Sequence, residues 1–346
     1  MFISEHRVNG NGFTIYKLDF ITKFVFIDKI MQLPQISIVI PLYNEEAVFG
    51  ELKHRLTSLK EKCPYTLEFV LVDDGSSDKT ASLMEELALE DETFYGVFLS
   101  RNFGHQIAIS AGMVYARGTE AVMLMDGDLQ DPPELVIDFY EKLKQGYDVV
   151  YAVRRARKEA AWKKTGYWLY YRMQRMLTTS DIPLDSGDFS MMSRRVVDHI
   201  NDMPEQSRFV RGLRSWVGYK QIGIEYKRDS RSAGETKYSL KRLFKLAYDG
   251  IFNFGNIPLK LITRLGLYTI LLSLIYITVL VVKKILYDNV PEGYTTIIIA
   301  LALFSGVQLI CLGVIGEYVA RIFDQSKGRP LFVVNRRIIN GEEKIG

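Results

Sequence analysis

Between residues 36 and 153 the chain repeats one pattern five times: a short apolar run that ends in polar residues, with an amphipathic segment leading to the next run. The runs lie at 36–40, 67–72, 94–99, 121–125 and 148–153. Short continuous apolar runs are the signature of strands buried on both faces of a sheet, and helical segments between them are what connects parallel neighbours. The pattern therefore predicts an α/β fold: a mostly parallel sheet built from βαβ units, with helices ending near Glu61, Glu90 and Arg117 and a fourth over 134–145. In such a sheet ligands bind beyond the carboxyl ends of the strands.

The most acidic of those ends follows the fourth run, in EAVMLMDGDLQDPPE at 120–134. Asp126, Asp128 and Gln130 stand at alternate positions there, followed by Asp131 and the helix-starting pair Pro132 and Pro133. On an extended backbone, oxygen-bearing side chains at i, i+2 and i+4 turn toward one point, as a hard divalent cation requires. Gly127 between the carboxylates lets a bulky ligand approach the backbone. An acidic loop that only caps the next helix is the plain alternative. No G-x-G-x-x-G follows the first run and no G-x-x-x-x-G-K-[ST] occurs, which supports neither a dinucleotide fold nor a P-loop NTPase. What remains is a sheet that binds a nucleotide through carboxylates and a metal ion.

The net charge of +3 over 346 residues conceals an uneven distribution. Acidic residues concentrate before position 150, whereas 154–242 is rich in Arg and Lys, so that a phosphate-rich or anionic-lipid partner suits the second stretch. Two cysteines, Cys63 and Cys311, make no disulfide framework. Residues 1–33 read as an N-terminal appendage with no apolar stretch long enough for a signal peptide or a span, and Met31 is an alternative start. Leu240, Leu243, Phe244, Ala247, Tyr248 and Ile251 recur at helical spacing, as in a helix lying in a membrane interface. Two apolar runs follow at 265–282 and 295–316, each close to the ~20 residues that cross a bilayer. Lys260 and Arg264 precede the first and Arg321, Lys327, Arg329, Arg336 and Arg337 follow the second, against Lys283 and Lys284 between them. The positive-inside rule then puts both ends in the cytoplasm. The expected organisation is a cytoplasmic domain at 34–237, an interfacial segment at 238–258, a transmembrane hairpin at 259–320 and a cytoplasmic tail at 321–346.

IVIPLYNEE at 38–46, VDDGSSDKT at 72–80, LSRNFGHQIAISAGM at 99–113 and MDGDLQDPPE at 125–134 resemble the inverting glycosyltransferases of family 2. More narrowly, the chain resembles the polyprenyl-phosphate glycosyltransferases, the group of dolichyl-phosphate mannose synthase and bactoprenol glucosyltransferase. The resemblance runs over about 36–335, with Gly127 where that group usually has Ala. It implies a GT-A type nucleotide-binding fold and transfer of one sugar, glucose from UDP as first choice, to a polyprenyl phosphate such as undecaprenyl phosphate. The membrane is the other implied partner and nucleic acid is not; a homo-oligomer through the membrane and C-terminal segments is allowed.

The resemblance also implies roles for particular residues. Asp126, Asp128 and Gln130 would hold Mg²⁺ or Mn²⁺ against the donor diphosphate, with Asp128 counted as catalytic. Pro41, Tyr43, Glu45, Asp73, Asp74 and Gly127 would line the donor. Arg231, Gly234, Thr236 and Lys237 match R-x-x-G-x-[ST]-K and would form a lid over the diphosphate. Asp188, in DSGDF at 185–189, is the second catalytic candidate, nearest the acceptor. A phosphate monoester has its second pKa near ~6 and is already a nucleophile at neutral pH, so two roles stay open for Asp188, a general base or, as an ionised acceptor favours, a group that orients the sugar. Arg154, Lys163, Lys164, Arg208 and Arg211 are candidates for gripping the acceptor phosphate, and His105 reads as a loop-stabilising residue. Glu317, Tyr318 and Arg321 match the group's G-E-Y-x-x-R stretch. A processive polysaccharide synthase would need a Q-x-x-R-W motif, which is missing. The intact carboxylates argue against a silent nucleotide-sugar-binding protein.

Overall fold

The computed structural model describes residues 33–154, 186–206, 208–226, 257–287 and 293–345. All five expected strands are present: β1 (Ile36–Leu42), β2 (Leu67–Asp73), β3 (Phe94–Leu99), β4 (Ala121–Leu124) and β5 (Val149–Arg154). The expected helices lie between them as α1 (Glu46–Lys62), α2 (Thr80–Glu90), α3 (His105–Tyr115) and α4 (Val136–Lys144), the last entered through a 3-10 turn over Pro133–Leu135. β1 runs through Pro41 instead of ending there. The Val39 carbonyl accepts the Met125 N–H on the β4 side, and Pro41, two residues on, faces the same side after β4 has ended. Its missing N–H therefore breaks no ladder bond.

The central strands β4-β1-β2-β3 are parallel, and the side chains of β1 alternate between two cores. Ile36, Ile38 and Ile40 pack with Leu52, Met84 and Phe139 on one face, while Val39 joins Ala108 and Ile109 on the other. Each such aliphatic side chain contributes about 1.5–3 kcal/mol by leaving water.

Five further strands flank this centre in the order β7-β5-β6-β4-β1-β2-β3-β8-β9. β6 (Ser186–Ser193) runs antiparallel between β4 and β5, and β7 (Gln221–Tyr226) lies beside β5. Helices α5 (Arg194–Asp202) and α6 (Val210–Trp216) connect them and complete the second core. β8 (Val334–Ile339) pairs antiparallel with β3, and β9 (Glu342–Ile345) pairs with β8. The stretch expected to be a cytoplasmic tail is thus part of the sheet itself.

Between β7 and β8 stand two long helices, α7 (Ile257–Tyr287) and α8 (Tyr294–Ser326), which contain both expected spans. Within α8, Phe304–Ser326 is long and apolar enough to cross a membrane, at 1.5 Å per residue about 35 Å. Arg321 Nε donates to Glu317 Oε1 at 2.9 Å, one turn away. The end of α8 is clasped to the loop between α5 and α6. Gln325 Nε2 donates to the Pro204 carbonyl (2.5 Å), the Gln206 N–H to Gln325 Oε1 (2.9 Å), and Gln206 Nε2 to the Arg329 carbonyl (2.8 Å). Residues 238–256 of the interfacial segment expected at 238–258, and residues 1–32 of the appendage, lie outside the described residues.

Candidate active site

The loop after β4 departs from the extended course assumed for Asp126, Asp128 and Gln130. It turns back on itself, with Leu129 at φ +60° and its side chain only 2% exposed. A left-handed backbone is uncommon for a branched residue and is held here by burial of that side chain. The turn lets Asp128 Oδ1 accept the Gln130 N–H at 3.2 Å. The backbone from Asp128 to Gln130 is thus a folded loop rather than an extended strand. A Cβ at Gly127 would fall 2.3 Å from Leu42 Cδ2, so the small residue also lets the loop pack on β1. Asp131 is buried and accepts a short hydrogen bond from the Tyr226 hydroxyl at the end of β7.

β6 brings the acceptor-side candidate to the same place. Its antiparallel register with β4 ends with Leu124 opposite Ser190, two residues from Asp126 on one strand and from Asp188 on the other. Between them lies His105, the first residue of α3, with Nε2 3.5 Å from Asp126 Oδ1 and 3.7 Å from Asp188 Oδ2. Burial alone would pull the imidazole pKa down, but the nearby carboxylates of Asp188, Asp126 and Asp74 outweigh it and raise it to about 9. The ring is 48% exposed, so water screens part of this attraction. Asp126 is pushed the other way, up to about 6, by burial first; His105 opposes this, while the like charges of Asp188, Asp131 and Asp128 add to it. Crowded carboxylates of this kind are what a cation relieves.

Asp188 itself is held well below the usual carboxylate range. Burial would raise it, and the charges of Arg211, His105 and Arg214 more than reverse that. Gln106 Nε2 donates to Asp188 Oδ2 at 2.9 Å, and Arg211 Nε lies 3.5 Å from Oδ1. Arg214 is 1% exposed; its Nη1 reaches the Gly187 carbonyl at 3.4 Å and its guanidinium lies over the Tyr151 ring.

On the donor side, the loops after β1 and β2 are stitched together. Asn44 donates its N–H to Ser76 Oγ (3.0 Å) and accepts the Ser77 N–H (2.8 Å), while the Glu45 N–H donates to Thr80 Oγ1 (2.9 Å). Tyr43 projects from this edge at 43% exposure, and Pro41 lies at the strand end behind it. Asp73 and Asp74 lie deeper than a donor-lining role suggests. Asp73 accepts the Ser76 N–H, and both oxygens of Asp74 accept N–H groups of Phe103 and Gly104. Burial raises both pKa values against the pull of those hydrogen bonds. Gly75, at φ +67°, sits where a Cβ would meet the Arg101 backbone at 2.5 Å, so this crossing admits only glycine. Asp74 thereby fixes the loop that delivers His105.

Of the other expected residues, Arg208 is turned inward. Its Nη1 and Nη2 donate to the carbonyls of Ile200 and Met203 at the end of α5, which removes it from the phosphate-gripping set. Arg154 ends β5, and Lys163, Lys164, Arg231 and Lys237 lie outside the described residues. Gln106, Arg214 and the Asp131–Tyr226 pair were not anticipated. The signal for Gln106 was its place at the start of the helix that follows β3; a buried arginine such as Arg214 has no local signature.

Comparison with known proteins agrees with this geometry. Residues 37–200 match the model of Glycosyl transferase family 2, and 257–322 match that of the GtrB C-terminal hairpin. The Uncharacterized glycosyltransferase YkcC of Bacillus subtilis (strain 168) is 46% identical over 303 residues, covering 87% of this chain and 94% of its own. A bactoprenol glucosyl transferase of Shigella phage SfV is 36% identical over 302 residues, covering 87% and 98%. Among solved structures, mannosyl-3-phosphoglycerate synthase from Rubrobacter xylanophilus is 18% identical, covering 64% and 72% at a TM-score of 0.41. Identity that extends over nearly the whole length, through the sheet that carries Asp126 and Asp188 and on through the helical hairpin, means that this chain is a glycosyltransferase of GT-A type fold and belongs to glycosyltransferase family 2.

Proposed function

We propose that this enzyme transfers one glucose from UDP-glucose, with inversion at the anomeric carbon, to a polyprenyl phosphate at the cytoplasmic face of the membrane. The observation that carries the reading is the meeting of two half-sites: carboxylates at the end of β4 and, across His105, the Asp188–Arg211 pair on β6 and α6. The first suits a nucleoside diphosphate with its cation, the second a phosphate monoester. The bactoprenol glucosyl transferases among the relatives favour glucose and a bactoprenol-type carrier.

The residues present fit a hard divalent cation, Mg²⁺ or Mn²⁺: the donors are oxygens, and burial, with the like charges of Asp188, Asp131 and Asp128 added, lifts Asp126. Asp126, Asp128 and Gln130 would hold it. Among the described residues no group of three His, Cys, Asp or Glu is placed to hold an ion alone, so that Gln130, water and the donor diphosphate make up the remainder. Bound there, the cation supplies Lewis-acid neutralisation of the departing diphosphate.

In the transfer, an oxygen of the acceptor phosphate forms its bond to the anomeric carbon as the bond to the β-phosphate breaks, and UDP leaves with the electron pair. The acceptor is ionised before it arrives, so no protein base is required. Asp188, kept anionic by its cationic neighbours, orients rather than deprotonates. Arg211 leads the acceptor grip, with Arg154, Lys163 and Lys164 as further candidates; Arg231 and Lys237 are candidates to close over the donor.

Large apolar side chains along α7 and α8, Leu272 (68% exposed) and Leu309 (70%) among them, call for lipid around both helices. Pairing of β8 with β3 supports a hairpin that enters and leaves the membrane on one side, as the Lys and Arg distribution also argues. Membranes carrying the enzyme, incubated with polyprenyl phosphate and a panel of labelled nucleotide sugars, should move label from UDP-glucose into lipid, and EDTA should stop it. Label entering lipid from another nucleotide sugar instead would refute the glucose assignment, and no labelled lipid would refute the acceptor.

A further inference from the structure

We propose that Gln106 is a positioning residue for the acceptor half of the site, its single carboxamide setting Asp188 against the helix that carries Arg211. The inference rests on the reading of Asp188 and Arg211 as acceptor-side groups. Gln106 lies in the first turn of α3 and spans two separate elements. Its Nε2 donates to Asp188 Oδ2 on β6 at 2.9 Å, and its Oε1 accepts the N–H of Val210, the first residue of α6, at 2.8 Å. Arg211 is the next residue, and its Nε stands 3.5 Å from Asp188 Oδ1. That gap is too wide for a hydrogen bond, and among the described residues neither buried atom has a hydrogen-bond partner.

An unrestrained arginine and carboxylate at this separation would close to a charge-assisted contact of about 2.8 Å. Such a pair would be neutral and internally satisfied, with little left for a phosphate. The carboxamide prevents this by holding both ends. It occupies the other oxygen of Asp188 while tying the start of α6 to α3, and α6 is a helix of only seven residues. One turn further on, Arg214 fastens the same helix to the Gly187 carbonyl. Two anchors, one from α3 and one on β6, thus fix α6 and leave the Arg211 guanidinium poised for an incoming anion. The bridge needs a donor at one end and an acceptor at the other. A carboxamide of this length provides both, and a carboxylate provides only acceptors.

The test compares full-length enzyme in membranes with Gln106→Met, which keeps the length without either hydrogen bond, and Gln106→Glu, which keeps the acceptor for Val210 but places a charge against Asp188. The readouts are UDP affinity and the kcat and KM for polyprenyl phosphate. UDP affinity should stay within about twofold, while kcat/KM for the acceptor falls about tenfold in Gln106→Met and at least as far in Gln106→Glu. Combining Gln106→Glu with Asp188→Asn re-forms the link with its polarity reversed, so the double variant should be at least about fivefold better than the product of the two single losses. Wild-type acceptor kinetics in Gln106→Met, an equal loss of UDP affinity, or single effects that simply multiply would each overturn the proposal. A wild-type enzyme that ignores polyprenyl phosphate would remove the functional reading and this one together, whereas normal transfer by wild type and Gln106→Met alike removes this one alone.

Discussion

Arg336 and Glu85, 251 positions apart in the chain, form a two-pronged ion pair, Nη1 to Oε1 at 2.8 Å and Nη2 to Oε2 at 2.6 Å. It fastens β8, which follows the helical hairpin, to α2 near the start of the sheet, and the guanidinium also lies over the Phe98 ring of β3.

Arg336→Gln should therefore lower the stability of the sheet domain by about 1 kcal/mol, partial exposure of both groups keeping it there. The Arg336 hydrogen bond and charge hold the Glu85 carboxyl below its ordinary value against a small burial effect. A depressed folded pKa adds stability above the unfolded value near ~4.3 and loses it as pH falls through the folded one. Thermal midpoints of variant and wild type should differ at pH 7 and converge in acid; a difference that persists below pH 3 would refute the pairing.

Asp128→Asn should abolish transfer while leaving the thermal midpoint within about 1 °C, since it alters an oxygen donor on a partly exposed loop rather than a core contact. Activity retained with added Mg²⁺ or Mn²⁺ would sink the metal assignment.

Asp188→Asn separates orientation from base catalysis. A carboxylate held far below its usual range is a poor proton acceptor, so the rate should fall by less than the ~10²-fold typical of a lost general base. The acid limb of the rate should track the second ionisation of the acceptor near ~6 and survive in the variant. Disappearance of that limb would restore the base.

Gly127→Ala should be tolerated at a cost of about 1 kcal/mol, because the atom in the way is the far end of the Leu42 side chain and can rotate aside. A second change, Leu42→Val, should shrink the penalty of the alanine. Complete loss of activity in a folded Gly127→Ala protein would show that ligand approach, not packing, is what needs the glycine.

Gln325→Ala opens the clasp between α8 and the loop ahead of α6. Transfer to a long-chain acceptor embedded in membrane should drop several-fold, with short-chain soluble acceptors unaffected. Equal losses on both would show that the clasp does not govern how the domain sits over the lipid.

The first five strands and the helices between them were legible because continuous apolar runs and helical periodicity are local properties. β6 was not: SGDFSMMS carries Ser, Gly and Asp where a strand pattern shows apolar residues, and it becomes a strand only through its partners β4 and β5. β8 was hidden for a similar reason, since VNRRII after two apolar segments reads as a basic tail until β3 is beside it. Within the site, Asp126, Asp128 and Asp188 were visible as motif carboxylates. His105 was taken for a loop residue because nothing near it in the chain discloses that two carboxylates from other strands converge on it.

The placement of β8 bears on how the molecule is made. During synthesis the open edge of β3 emerges early, yet the strand that covers it follows α7 and α8 in the chain. An uncovered edge invites pairing with other chains, so the nascent protein passes through an aggregation-prone interval that ends only when β8 docks. Delivery of α7 and α8 to their final surroundings thus comes before closure of the sheet, and a chain stalled between those events would carry an assembled site on an unfinished edge.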